Sequence, residues 1–226
     1  DWSSDVCSSD LIAKGLEQSH KISRQARDRK RLTKLETQNI HVMALSNLQS
    51  IRKQFEYYKS LGEKTFAQIN EKDLFFAHNE ASNAIAVTVN HLYGNMLSRW
   101  TDFLTTDGEK EWRNRDNEFE SVIKTKEELL NKWNEGWTCV FTALDSVNED
   151  NFNTLVYIRN QAHSIMDAAL RQLAHYAYHI GQIVYVGRML SKDWNSLSIP
   201  KGKSGDFNKA KFDKGRHGGH FTDDIK

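Results

Sequence analysis

From Leu45 onward, apolar residues return at steps of three and four, the period of an amphipathic helix. Leu48, Ile51, Phe55, Tyr58 and Leu61 make the first stripe, which Gly62 does not interrupt, so a first helix is predicted to about Ile69. Ile85, Val89, Leu92, Met96, Trp100 and Phe103 mark the buried side of a second, over roughly 79–105. Val122, Leu129, Leu130, Trp133, Trp137, Val140 and Phe141 do the same for a third, over about 119–144. Between these two, Thr106-Asp-Gly-Glu-Lys110 reads as a turn, and Trp112-Arg-Asn-Arg-Asp116 as a charged, aromatic loop. Leu155-Val-Tyr-Ile158 is short and β-branched, which fits an extended piece or a small hairpin. Ser164-Ile-Met-Asp167 has the form of a capping box with Asp in place of Glu, and starts a fourth helix that runs to about Leu190. Beyond Pro200 the tail is rich in glycine and lysine and has no period. Four such stripes are buried most economically against one another, which predicts an all-α fold: a four-helix bundle with a short extended segment before the last helix.

Composition supports this picture. Pro200 is the single proline, so a long stretch is free of helix breakers. With 31 basic and 30 acidic residues the net charge is +1, which gives no general field to attract nucleic acid or an anionic membrane surface. No apolar run approaches the ~20 residues of a membrane span, and no secretory signal is apparent. The two cysteines, Cys7 and Cys139, make neither a disulfide framework nor a zinc-type pair, so a reducing cytoplasm is the expected location.

The N-terminal region lacks the helical pattern. Asp1-Trp-Ser-Ser-Asp-Val-Cys-Ser-Ser-Asp-Leu11 repeats Ser-Ser-Asp and resembles a translated sequencing adapter. Between Ile12 and Glu36, eight Lys or Arg stand against three Asp or Glu. That excess admits a basic arm for nucleic acid, but it reads more simply as sequence upstream of a natural start at Met43. Residues 1–42 are therefore expected to be a non-native or disordered extension, 43–198 the helical domain and 199–226 its C-terminal tail.

The chemistry-bearing residues gather on two of the predicted helices. His175 and His179 are four residues apart, and at ~100° per residue they lie about 40° apart on one helix face. Two imidazoles so placed are able to share a divalent ion, although the same spacing fits two satisfied histidines at a core boundary. His91, in the middle of the second predicted helix among apolar residues, is the best third ligand. Three protein ligands leave one position open for water or substrate, and imidazole suits zinc, nickel and iron alike. His163, about 18 Å along the axis from His175, is too far to join them. His217 and His220 belong to the tail, read as a mobile surface segment, and His41 and His78 lie at or before helix ends.

Several neighbours have two readings each. Asn95, one turn after His91, and Gln172 and Gln182, beside the histidine pair, fit either orientation of a ring nitrogen or bound water, or plain polar positions near a wet cavity. Tyr178 fits a substrate donor or, preferably, a core tyrosine with its hydroxyl at the rim. Arg113 and Arg115 with Trp112 fit a carboxylate pocket with an apolar wall. The favoured alternative has the arginines pairing with Asp116, Glu118 or Glu120 to fasten the loop. Cys139 reads as a core residue, and there is no Gly-rich phosphate loop or serine elbow. Neither Asp nor Glu stands out on the histidine faces as a general base.

The strings Asn90–Lys110, Trp112–Asp116, Arg171–Tyr185, Trp194–Lys203 and Phe207-Asn208 together resemble an uncharacterised bacterial family within the DinB/YfiT-like superfamily, over about residues 43–224. The resemblance implies a four-helix bundle, often dimeric, with a metal held by one histidine of the second helix and an H-x-x-x-H pair of the fourth: His91, His175 and His179. It also implies a metal-dependent enzyme acting on a small molecule, either an S-transferase using a low-molecular-weight thiol such as bacillithiol or a related hydrolase. The competing expectation is a non-catalytic metal-binding stress-response bundle, whose structural metal would be closed by a fourth protein ligand.

Overall fold

The computed structural model describes residues 6–224. The readings made on residues 1–5 and on the Cys7 side chain lie outside the described residues. The chain divides into two compact units, 1–46 and 47–226. In the first, the described backbone is helical from Val6, and the described side chains between Gln18 and Leu32 are exposed. The packing and the site described below concern the second unit.

The protein is mostly helical, with one small sheet among the described residues. Helix α1 spans Val6–Gln68, so it begins well upstream of the Leu45 where the apolar stripe starts. The single turn α2 covers Glu71–Leu74, and α3 covers Ile85–Trp100. Helix α4 runs Lys126–Asp145, α5 Ile165–Leu190 and α6 Ser204–Phe212. A 3-10 turn at Asp116–Phe119 interrupts the long connection between α3 and α4. Strands β1 (Leu155–Ile158) and β2 (Gln161–Ser164) pair antiparallel, with Ile158 opposite Gln161. The expected extended piece is thus a hairpin. Its two-residue turn, Arg159-Asn160, has positive φ at both positions (55° and 59°), the geometry that matches strand twist. No described helix is long and apolar enough to cross a membrane.

The core forms where the predicted stripes meet. Phe55 of α1 packs with Trp100 of α3, Trp137 of α4 and Tyr176 of α5, at ring separations of 5.6–6.3 Å. Trp100 Nε1 donates to the Tyr176 hydroxyl at 2.9 Å, which pairs these two polar atoms inside the cluster. Gly62 lets α1 approach α4: any side chain there would meet the ring of Trp133.

The predicted ends of two helices need correction. The second helix occupies 85–100 rather than 79–105, because Thr101 leaves helical geometry and Asp102 takes a φ of 48°. The third begins at Lys126, not near Phe119. Thr125 and Glu128 form a capping box there, each side chain bonding the other's backbone N–H. Val122, expected inside, is exposed as a result. The fourth helix starts as expected: Ser164 Oγ accepts the Asp167 N–H at 3.0 Å.

Candidate metal centre

Helix α3 supplies His91, 4% exposed, and α5 supplies the half-buried His175 and His179. One ring nitrogen from each lies within 4.8 Å of the other two, the one such group among the described residues. His91 Nε2 is 3.3 Å from His175 Nε2, although the two residues are 84 apart in sequence.

Neighbouring acceptors set the proton positions. Glu118 Oε2 lies 2.9 Å from His91 Nδ1, and Gln182 Oε1 lies 2.9 Å from His179 Nδ1. Each acceptor draws the ring proton to Nδ1 and leaves a lone pair on Nε2, aimed at the shared point. Burial, aided by His179 and His91, pushes His175 down to about 3. Burial also lowers His179, against the opposing bond to Gln182. Both rings are therefore neutral near pH 7. Three ring nitrogens this close can be shared by one divalent ion, which accepts imidazole lone pairs, so the three residues fit a divalent metal.

Glu118 is the residue that the sequence reading placed only as a loop fastener. It is 5% exposed, and besides His91 it accepts Arg113 Nε at 2.7 Å and Arg113 Nη2 at 3.0 Å. Burial would raise its carboxyl, but the bonds from His91 and Arg113 outweigh that and hold it below the usual carboxylate value. Two features fix its position. Asn90 Nδ2 donates to the carbonyls of Asn117 and Glu118, at 3.2 and 3.1 Å. Gly94 leaves room for the carboxylate, which any Cβ there would strike. Phe119, the next residue, stacks on the His91 ring at 4.7 Å.

The triad opens into a cavity of about 290 Å³ lined also by Asn95, Arg99, Arg113, Arg115, Phe119, Arg159, Arg171 and Gln172. Asn95 and Gln172 are 5% and 3% exposed, and their side-chain oxygens have no protein partner. Gln182 bonds His179, one of the two roles read from its spacing. Arg113 is fastened to Glu118, as the favoured reading had it, while Arg115 lies over the Phe119 ring at 5.4 Å.

Two expectations are corrected. Trp112 is 58% exposed and does not line the cavity; Phe119 supplies the apolar wall instead. Tyr178 is 65% exposed, with its ring edge-on to His179, whereas Tyr176 is the core tyrosine. His163 sits in β2 against Arg171, and His220 fastens the tail to α1 through Ser50 at 3.1 Å, alongside a Lys53–Asp223 ion pair. The Cys139 thiol is half-buried beside Thr101, and burial pushes it up, so it stays protonated.

No curated protein and no solved structure matches this chain. A family model described as "Protein of unknown function (DUF1572)" matches residues 42–203, which span the triad, the connection holding Glu118 and the hairpin, and the chain belongs to that family.

Proposed function

We propose that this protein is a metal-dependent enzyme with a DinB-like four-helix bundle, acting as a homodimer on a small molecule. His91, His175 and His179 hold one zinc, nickel or iron ion, and the reaction is S-transfer from a low-molecular-weight thiol of the bacillithiol type to an electrophile. A divalent ion at such a site supplies a Lewis acid that lowers the pKa of a bound thiol or water. The observation that carries the reading is the convergence of three imidazoles on a cavity, in a group that takes in no fourth His, Cys, Asp or Glu among the described residues. An open position of this kind belongs to catalytic rather than structural sites.

Glu118 favours transfer over hydrolysis. Its carboxylate is occupied by His91 and by the Arg113 guanidinium, so it orients a ligand and does not act as a free base for water. Arg99 and Arg113 are held by Glu109 and Glu118, which keeps this wall of the cavity in place.

Elemental analysis of purified protein tests the centre. Wild type offered nickel, zinc, iron and manganese should hold one ion per chain, and His175→Ala should lose it. A wild type that binds none at stoichiometry sinks the reading. Consumption of a bacillithiol-type thiol with a panel of electrophiles then tests the reaction. A metal found capped by a buried protein side chain would favour the non-catalytic stress-response alternative.

A further inference from the structure

The cavity above the triad is unusually rich in guanidinium groups. Five arginines line it, from four different segments: Arg99 on α3, Arg113 and Arg115 in the connection, Arg159 at the hairpin turn and Arg171 on α5. Carboxylates answer only three of them. Glu109 meets Arg99 at 3.2 Å, Arg113 at 3.5 Å and Arg159 at 3.0 Å, and Glu118 meets Arg113. Asp107 is taken by the hairpin: it accepts the N–H groups of Arg159 and Asn160, at 2.8 and 2.7 Å. Arg115 and Arg171 have no carboxylate partner among the described residues. Arg115 rests on Phe119, and Arg171 meets the imidazole of His163 at 3.3 Å.

Their placement relative to the histidines is specific. Arg171, His175 and His179 follow one another at four-residue steps on α5, so Arg171 stands one helical turn, about 6 Å, from the first α5 ligand. On the opposite wall, Arg115, Phe119 and His91 form a stack. Between the walls, the side-chain oxygens of Asn95 and Gln172 are more than nine-tenths buried and have no protein donor. A buried acceptor without a donor is costly, so both point to a ligand that brings N–H or O–H groups.

We propose that Arg115 and Arg171 form an oxyanion subsite that binds a carboxylate or phosphate of the substrate, while Asn95 and Gln172 accept hydrogen bonds from its hydroxyl or amino groups. This deepens the reading of the triad as an open metal centre and rests on it for the reactive end of the molecule. The substrate is then a small polar acid, held about one helical turn from the reacting atom. Guanidinium suits either oxyanion by paired N–H donation, and the cavity is sized for a metabolite rather than a chain.

The test is calorimetric titration of the intact protein, as purified with its metal and again after chelation, using succinate in one arm and inorganic phosphate in the other. Wild type should bind at least one of the two saturably, and the arm that binds identifies the oxyanion. Arg115→Ala and Arg171→Ala should each weaken that binding roughly tenfold or more. Metal content, read by elemental analysis of the same samples, should stay unchanged. Binding of neither anion by wild type, or equal binding by both variants, overturns the subsite. A wild type that takes no metal yet binds the anion through these arginines sinks the metal reading alone. If an alanine variant does not fold, the Arg115→Lys and Arg171→Lys variants, which keep the charge and lose the paired geometry, are read in the same titration. Wild-type affinity in both would equally overturn the proposal.

Discussion

Glu118 decides which nitrogen of His91 carries the proton, and it does so from a segment with no periodicity. Replacing it with glutamine keeps the shape but removes the charge that fixes the ring and lets an amide donor compete for it. Glu118→Gln should therefore weaken metal binding by about 10–100-fold, read by competition with a chromogenic chelator, while the helical circular dichroism holds. Unchanged affinity would show that the carboxylate merely fastens the loop. At this scale the sequence was legible where residues sit on helices. His91, His175 and His179 emerged from spacing and from resemblance. Tyr178 was misjudged although helical geometry held the answer: it follows Tyr176 by two residues, about 200° around the axis, and Tyr176 faces the core. Glu118 and Phe119 had no such signal, because no periodicity relates a loop residue to the helix it touches.

Elements were legible in their middles and less so at their ends. The stripes of α3, α4 and α5 held because burial imposes the helical period on every turn that touches the core. The start of α4 was misplaced by about seven residues because apolar Phe119 and Val122 extend the stripe into a segment that is not helical. The better signal was local: Thr125 with Glu128 three residues later. Thr125→Ala should destabilise the protein by about 1 kcal/mol in urea unfolding, with the slope unchanged. No effect would mean that the end of α4 is held by packing alone. The hairpin was undecided between two forms because Arg-Asn is a weaker turn signal than Asn-Gly. What settles it is Asp107, 52 residues away, whose carboxylate receives both N–H groups of the turn.

For the molecule as a whole, the triad joins two helices whose histidines are far apart in sequence, and it places two depressed histidines in the folded state. In the unfolded chain these rings titrate near 6.5, whereas in the folded protein His175 is held to about 3 and His179 is also lowered. The unfolded state thus binds more protons in acid. The stability these neutral rings contribute is complete above about pH 6.5 and is lost as pH falls toward the folded values. Metal-free protein in chelator should therefore melt at a lower temperature at pH 5 than at pH 7.5, and His175→Ala should narrow that difference. A melting temperature that rises on acidification would contradict the burial of these rings.

The cavity has walls of two kinds. His91, His175, His179 and Arg171 stand on helices whose other faces are locked into the aromatic core. Arg115, Phe119 and Arg159 stand on the α3–α4 connection and the hairpin, joined to each other through Asp107 and Glu109. Divergence within the family then has a natural seam. Changes in the connection and the hairpin can reshape the cavity without moving the three histidines or unsettling the core. On the proposed function, members that keep the three histidines but differ at positions 115, 119 and 159 should share a reaction and differ in what they act upon.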